Sequence, residues 1–493
     1  MRRSICRHIV GLLLLIAGMQ LNAQKDFEIW LDSHLDETPV DMILSPSGDC
    51  VGIIPYRISL ENHISTSIYC IGQSGDTMST VIEKADTTIQ LSQIIVANNN
   101  PIEYLVCGLG LPIDGSLNQW FAYFARLDAS LNILWEKKYK SLLGNVNDCA
   151  SHYNLLKKKD GGYIHTGSSH PHHLMYILEL TESGDSLAYR LYEQDSAGQV
   201  GDLIYNHDST LYMLHTHFAH YSSSGPESQC IEVDFDLNQT KVMYYPRWFQ
   251  GNMTAKLLPD GNIISASSFH EPFTKGSDDY IAVYKFDSNL NVLNECYFTH
   301  PDTNAQGGYV MLDYYDPDYI YAGGTHNHQL GIWIPGPTWI VIALMNQNLE
   351  IQYEKYIGGD GGYAFQTLTA TPDTGVLVSA TWYDYPSQSY QRDVVIMKLG
   401  FEDFTTSVDE VNGIPVHSAI VYPNPGADHL TLRTALKNTT FTLFDAQGKV
   451  VLTEVISDLT TTFDVSALYP GTYIWNLHDG NRILESGKWI KSR

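Results

Sequence analysis

The sequence predicts an all-β protein, and three observations carry that prediction. A double hairpin recurs along most of the chain, its last copy lacks a strand that the opposite end of the chain can supply, and a separate run of short strands follows residue 400. The clearest copies of one hairpin are ARLDASLNILWEKKY from Ala125, VYKFDSNLNVLNECY from Val283 and IALMNQNLEIQYEKY from Ile342. Each is an apolar strand, a polar turn and an alternating strand. Weaker copies start at Tyr69, Leu178 and Glu232, and VVIMKLG from Val394 supplies a final half.

A second hairpin runs between them: MILSPSGDCVGIIPY, NLLKKKDGGYIHTGSS, AKLLPDGNIISASSF and TLTATPDTGVLVSATW, with poorer copies near Asn99, Asp208 and Asp316. Asp-Gly and Pro-Asp dipeptides between short apolar runs are hairpin chemistry, because they supply the φ values that tight turns need. Seven units of two hairpins make seven four-stranded blades, so residues 24–400 resemble a generic seven-bladed β-propeller, with six and eight blades as the neighbouring solutions. The seventh unit runs out after three strands near Gly400, whereas FEIWLD, Phe27 to Asp32, alternates like an outermost strand and precedes the first unit. Pairing it into the last blade closes the ring and removes an open edge.

Bulk properties narrow the function. At 493 residues and 44% hydrophobic the chain can bury a large core. A formal charge of −26 excludes nucleic acid as an electrostatic partner, since no basic surface exists to displace phosphate counterions. The N-terminus has a basic segment, the apolar IVGLLLLIAG and a small residue before Gln24, so residues 1–23 read as a signal peptide. No other segment is long and apolar enough to be a transmembrane helix. Cys50, Cys70, Cys107, Cys149, Cys230 and Cys296 remain after it; they show no metal-ligand spacing and are expected to be mostly buried, with room for one or two bridges.

If the strands of each unit are A, innermost, to D, outermost, the tight polar turns (A to B, C to D) share one face. The longer loops share the other: HTGSSHPHHLM, LHTHFAHYSSSGPESQ, SSFHEPFTKGSDD, GGTHNHQLGIWIPGPTW and SATWYDYPSQSYQRD. Long loops on a rigid scaffold are where binding usually sits. His170, His270 and His326 fall at one place just past strand B, His217 one position off, with Tyr383 in the seventh unit. Such a ring of imidazoles suits a metal, or hydrogen bonds to a sugar or carboxylate; repeats also copy surface histidines for no chemical purpose. His172 and His173 beside His170 add a local cluster without a matched carboxylate.

Trp248, Trp333, Trp339, Trp382, Tyr383 and Tyr385 crowd the same loops, as platforms for sugar rings or as packing between blades. The chain contains no GxSxG, HExxH, P-loop or dinucleotide fingerprint, so no catalytic residue is assigned and no cofactor is named. Asp278, Asp279, Asp313, Asp316 and Asp318 are expected in solvated turns.

After a polar linker, residues 401–417, the strands HLTLRT, TFTLFD, KVVLTEV, TTFDV, GTYIWNL and GKWIKS predict a small β-sandwich over 418–493. VYPNP (with Tyr422, Pro423, Asn424 and Pro425), Leu430 and Leu432, FDAQGKVV with Gly448 and Lys449, LYPGTYIW with Gly471 and Tyr473, and the basic end at Lys488, Lys491 and Arg493 resemble the type A C-terminal sorting domain of the type IX secretion system of Bacteroidota. The resemblance implies that the type IX machinery is a partner. It also implies passage across the outer membrane and removal of this domain as the cargo is anchored at the surface or released. The expected function is therefore a secreted or surface-attached module that binds a glycan or protein through its loop-rich face. The alternatives are a metal-assisted hydrolase or lyase acting on polysaccharide in the same pocket and a structural surface protein.

Overall fold

The computed structural model describes residues 27–31, 35–57, 63–73, 76–113, 121–139, 147–170, 175–192, 198–206, 210–217, 229–244, 249–270, 279–299, 305–328, 336–359, 361–384, 392–405, 419–422, 426, 428–434, 439–457, 460–480 and 482–491. The predicted signal peptide and residues 406–417 of the predicted linker lie outside these. Apart from one helical turn at Glu402–Thr405, the described elements are strands.

Up to residue 399 the strands form seven small antiparallel sheets among the described residues. The simplest, the fifth, runs Phe249–Leu257, Ile263–His270, Asp279–Phe286 and Val292–Phe298, each strand pairing with the next. Its predecessors begin at Thr87–Asn99, Asn147–Lys157 and Gly198–Tyr205 and follow the same order. In the first and sixth sheets strand A is broken in two: Asp36–Glu37 and Asp41–Leu44 both pair with Cys50–Arg57, and Ala305–Gln306 and Leu312–Tyr314 both pair with Ile320–His326. The seventh sheet has Gly362–Ala370, Val376–Tyr383 and Asp393–Leu399 from its own region. Its fourth strand is Phe27–Leu31, in register from Phe27 opposite Lys398 to Leu31 opposite Val394.

Each A strand contacts the A strand of the next sheet, and the seventh, Gly362–Ala370, contacts Asp41–Leu44 of the first, which closes a ring. Cores lie between neighbours, not within any one sheet. Val51, Ile68 and Tyr123 join the first and second sheets; Leu105, Phe124 and Tyr163 the second and third; Met253, Cys230 and Tyr284 the fourth and fifth. Met42, Tyr69, Leu377 and Ile396 join the first sheet to the seventh. A sheet with one neighbour removed would expose a face of Val, Ile and Phe, each worth roughly 1.5–3 kcal/mol when buried. Cys50, Cys70, Cys107 and Cys230 are buried in these layers, Cys296 is half-buried, and no disulfide joins any of these five.

The C to D turns show how the repeat is encoded. In Asp128–Asn132 and Asp287–Asn291 the Asp Oδ1 accepts the N–H groups two and four residues on, while the Asn Nδ2 donates to Oδ2. The leucine at the fourth position of these turns has a left-handed backbone: φ is 62° at Leu131, Leu237 and Leu290, each before an Asn, and 59° at Leu349, before Glu350. Such a conformation costs roughly 1–2 kcal/mol for a residue with a Cβ. Burial offsets that cost, because the four leucines are between 1% and 5% exposed. Gly184 takes the equivalent place in the third sheet, at φ 80°.

Beyond residue 419, Ile420–Tyr422, His429–Arg433 and Thr460–Asp464 form one sheet, and Val450–Ile456, Thr439–Phe444, Gly471–Asp479 and Arg482–Lys491 another. Leu430, Leu432, Phe441, Phe463, Trp475 and Trp489 fill the space between them, with Phe441 and Phe463 stacked at 5.0 Å. Gly448 sits at φ 78° in a turn whose Asp445 Oδ1 accepts from Gln447 N and Lys449 N. No described strand of one region pairs with a strand of the other.

Deleting Phe27–Leu31 leaves the Asp393–Leu399 edge without its partner and strips the Trp30 ring from Trp382, which it meets edge-on at 5.6 Å. The melting temperature is expected to fall by several degrees, or the protein to aggregate, in differential scanning calorimetry. An unchanged profile would show that this pairing does not hold the ring.

Candidate functional site: the ring axis and its loop-bearing end

The innermost strands share a defect. Register breaks at Leu91/Gln93, Ala150/Asn154, Val200/Asp202, Gln250/Met253 and Phe365/Thr367, and the first and sixth A strands are interrupted outright. A bulge frees a backbone N–H from the ladder and re-aims a side chain. Here polar side chains next to the defects tie one sheet to the next. Asp41 Oδ2 accepts from Ile94 N at 2.8 Å and Asp202 Oδ2 from Ala255 N at 2.7 Å. Thr254 Oγ1 accepts from Met311 N at 2.9 Å and Asp313 Oδ2 from Ala370 N at 3.0 Å. Gln93 Oε1 accepts from Leu155 N, and Thr369 Oγ1 donates to the Met42 carbonyl at 2.6 Å across the closure.

Lys256, next to last in its A strand, pairs with Asp313 at 3.1 Å. Its ammonium pKa is raised, first by Asp313 and further by Asp202 and Asp41. Groups on the first, fourth and sixth sheets can act together on a fifth-sheet lysine only if all point toward the ring's interior. That side chain is nevertheless 40% exposed, so water reaches it there. Burial pushes Asp41 up to about 7 and Asp202 up to about 6, against the pull of their backbone donors and Lys256. Both oxygens of Asp41 and of Asp202 already accept backbone N–H groups, so these carboxyls act as latches that exchange protons near neutrality.

The loop-bearing end receives the residues singled out from the sequence. His170, His217, His270, His326 and Tyr383 are each the last residue of strand B in the third to seventh sheets. Their backbones thus come to one end of the ring, one strand out from the axis. Side chains are described for His326 and Tyr383. The His326 ring packs edge-on against Trp339 at 5.8 Å and Tyr356 at 5.2 Å, and Tyr383 is 6% exposed. Trp382 packs against Trp30 and the core between the fifth, sixth and seventh sheets; Trp339 is buried. Trp333, Trp248, Tyr385, His172 and His173 lie outside the described residues. Among the described residues no group of three or more His, Cys, Asp or Glu is placed to hold a metal ion.

Asp313 departs from the solvated-turn expectation. It sits on Leu312–Tyr314 and faces Lys256, whereas Asp316 accepts from Asp318 N in the turn itself. The axial latches had a faint signal in the sequence: a polar residue directly before an apolar one, midway along strand A, in Asp41-Met42, Gln93-Ile94, Asn154-Leu155, Asp202-Leu203 and Thr254-Ala255. In the C-terminal region Tyr422 ends a strand, Gly448 makes a turn, Gly471 opens a strand, Tyr473 is buried with its hydroxyl donating to the Tyr469 carbonyl, and Lys488 is exposed on the last strand; Pro423, Asn424 and Pro425 lie outside the described residues.

The raised carboxyl of Asp41 sets the sign of a pH effect. Between the ordinary carboxyl range and about 7 the folded state holds a proton that the unfolded state has lost. This contribution to stability is full at acid pH and lost as pH rises through about 7. The melting temperature of the Asp41→Asn variant should therefore depend less on pH than the wild type across roughly pH 4 to 8. Equal slopes would show that Asp41 ionises without cost.

Residues 420–492 match the family model described as "Secretion system C-terminal sorting domain". No curated protein sequence matches the chain. Similar solved structures include hydrazine synthase of Kuenenia stuttgartiensis, at TM-score 0.43 and 11% identity over 73% of this chain and 95% of that one. A Dyadobacter fermentans protein of unknown function gives 0.42 and 12% over 76% and 98%. A Synechocystis apocarotenoid oxygenase mutant gives 0.43 and 12% over 78% and 92%. The C-terminal region of this chain is thus a secretion system C-terminal sorting domain, and it marks the protein for type IX export to the cell surface or beyond.

Proposed function

We propose that residues 24–400 are a seven-bladed β-propeller, closed by Phe27–Leu31, that reaches the cell exterior by signal peptide and type IX export and there binds a glycan or protein through its loop-bearing end. The observation that carries this reading is the pairing of an export domain with a ring whose strand B ends, at His170, His217, His270, His326 and Tyr383, stand in one structural register. A rigid ring supports long loops at no cost to its core, and the polar and aromatic residues of those loops suit the hydroxyls and flat faces of a sugar or the side chains of a protein. His170, His217, His270 and Trp333 are the direct contacts in this reading. Half-buried His326 and Trp382 and buried Tyr383 shape the loop bases behind them.

Two measurements test the two halves separately. A chain truncated before Ser418 should accumulate in the periplasm; its appearance outside the cell in normal amounts would overturn the export route. On a glycan array and in a surface-protein capture assay, His270→Ala combined with Trp333→Ala should weaken binding at least tenfold while the melting temperature changes by no more than about one or two degrees, as expected of groups that contact a ligand and not the core. Unchanged binding by the double variant would move the site elsewhere.

A further inference from the structure

A cavity of about 540 Å³ lies at the rim of the ring, between the outermost strand of the sixth sheet, Ile351–Gly358, and the closing strand Phe27–Leu31. Neighbouring sheets diverge outward, so the wedge between them widens toward the rim and its apolar floor needs a cover. The floor here is Tyr363, Val395 and Met397, and the ring-side walls carry Glu28, Glu354 and Tyr356. The opposite wall belongs to the sorting domain: Ser486, Gly487, Lys488 and Ile490 of its terminal strand, with Trp475 behind them.

The chain's route leads to the same place. Asp403, where the chain leaves the ring, and Ala419, where it enters the sorting domain, both line this cavity. Lys355 Nζ donates to the Asp403 carbonyl at 2.7 Å and fixes the departure point to the cavity wall. The terminal strand Arg482–Lys491 is an edge strand that pairs with Gly471–Asp479 and meets Gly426 in an isolated bridge at Lys491, and exposed Lys488 faces a cleft whose ring side carries Glu28, Glu354 and Asp403 together with Lys355 and Lys398. Burial in the cleft raises the Glu354 carboxyl, which accepts from the Tyr356 hydroxyl at 2.9 Å.

We propose that the sorting domain docks in cis on the rim of the ring, its terminal strand covering the cleft between the sixth sheet and the closing strand, so that cutting the linker uncovers that cleft. During export the docked domain shields the seam at which the ring is closed. After processing, a cleft with an apolar floor and the acidic groups Glu28, Glu354 and Asp403 becomes available at the rim. This docking is independent of what the loop-bearing end binds.

The full-length chain, with a protease site placed in residues 406–417, provides the test. Treatment of the intact monomer with an amine-reactive crosslinker should join Lys355 to Lys488, as read by mass spectrometry. After the linker is cut and the sorting domain separated, hydrogen exchange in Ile351–Gly358 and Phe27–Leu31 should rise several-fold, while Thr77–Ile82 on the rim of the first sheet stays unchanged. A cut sorting domain that co-migrates with the ring through gel filtration also supports docking. No Lys355–Lys488 crosslink in the monomer, or exchange that is equal before and after separation, overturns the proposal.

Discussion

The ring depends on defects in its innermost strands. A continuous A strand would satisfy its own backbone within its sheet and leave adjacent sheets held only by apolar contact. Each bulge or break leaves backbone donors to be paired, and Asp41, Gln93, Asp202, Thr254 and Asp313 pair them across the boundary to the next sheet. An unpaired buried N–H costs roughly 1–3 kcal/mol. The bonds therefore matter less for what each adds than for the loss each prevents, and they make neighbouring sheets interdependent.

The same logic brings carboxyl groups together at the axis of a strongly acidic protein. Three aspartates turned inward would repel, and Lys256 offsets part of that repulsion beside Asp313. Burial, more than repulsion, raises Asp41 to about 7 and Asp202 to about 6, so both hold protons well above the ordinary carboxyl range. At the outer turns the compromise is conformational: Leu131, Leu237, Leu290 and Leu349 accept a left-handed backbone so that their side chains can plug the gap between sheets. In both places local strain or charge is tolerated because the contact it permits lies between sheets.

The sorting domain follows different rules. Its core is closed by two sheets facing each other, with Trp489 of the last strand fully buried among Tyr473 and Leu477, so it needs no neighbour to complete its layers. That self-sufficiency suits a region that has to be read as a unit by the export machinery. The ring has no such option, since every sheet shares its core with the next and the last shares with the first.

Features written in short stretches were legible from the sequence: alternation along strands, Asp-Gly and Asp-x-x-Leu-Asn turns, the spare strand at Phe27–Leu31 and the VYPNP-to-Lys488 pattern of the sorting domain. These depend on φ preferences and a two-residue side-chain period, which neighbouring residues determine. The uses of particular side chains were decided by the tertiary structure. His326 and Trp382 share a loop-end pattern with residues that read as binders, yet His326 packs against Trp339 and Tyr356, and Trp382 meets Trp30 from the far end of the chain. Asp41, Asp202 and Asp313 are separated by long stretches of sequence, and only closure of the ring brings them to one lysine. A pattern of residue types specifies which way a strand faces; what it then touches depends on a partner strand whose position no local pattern carries.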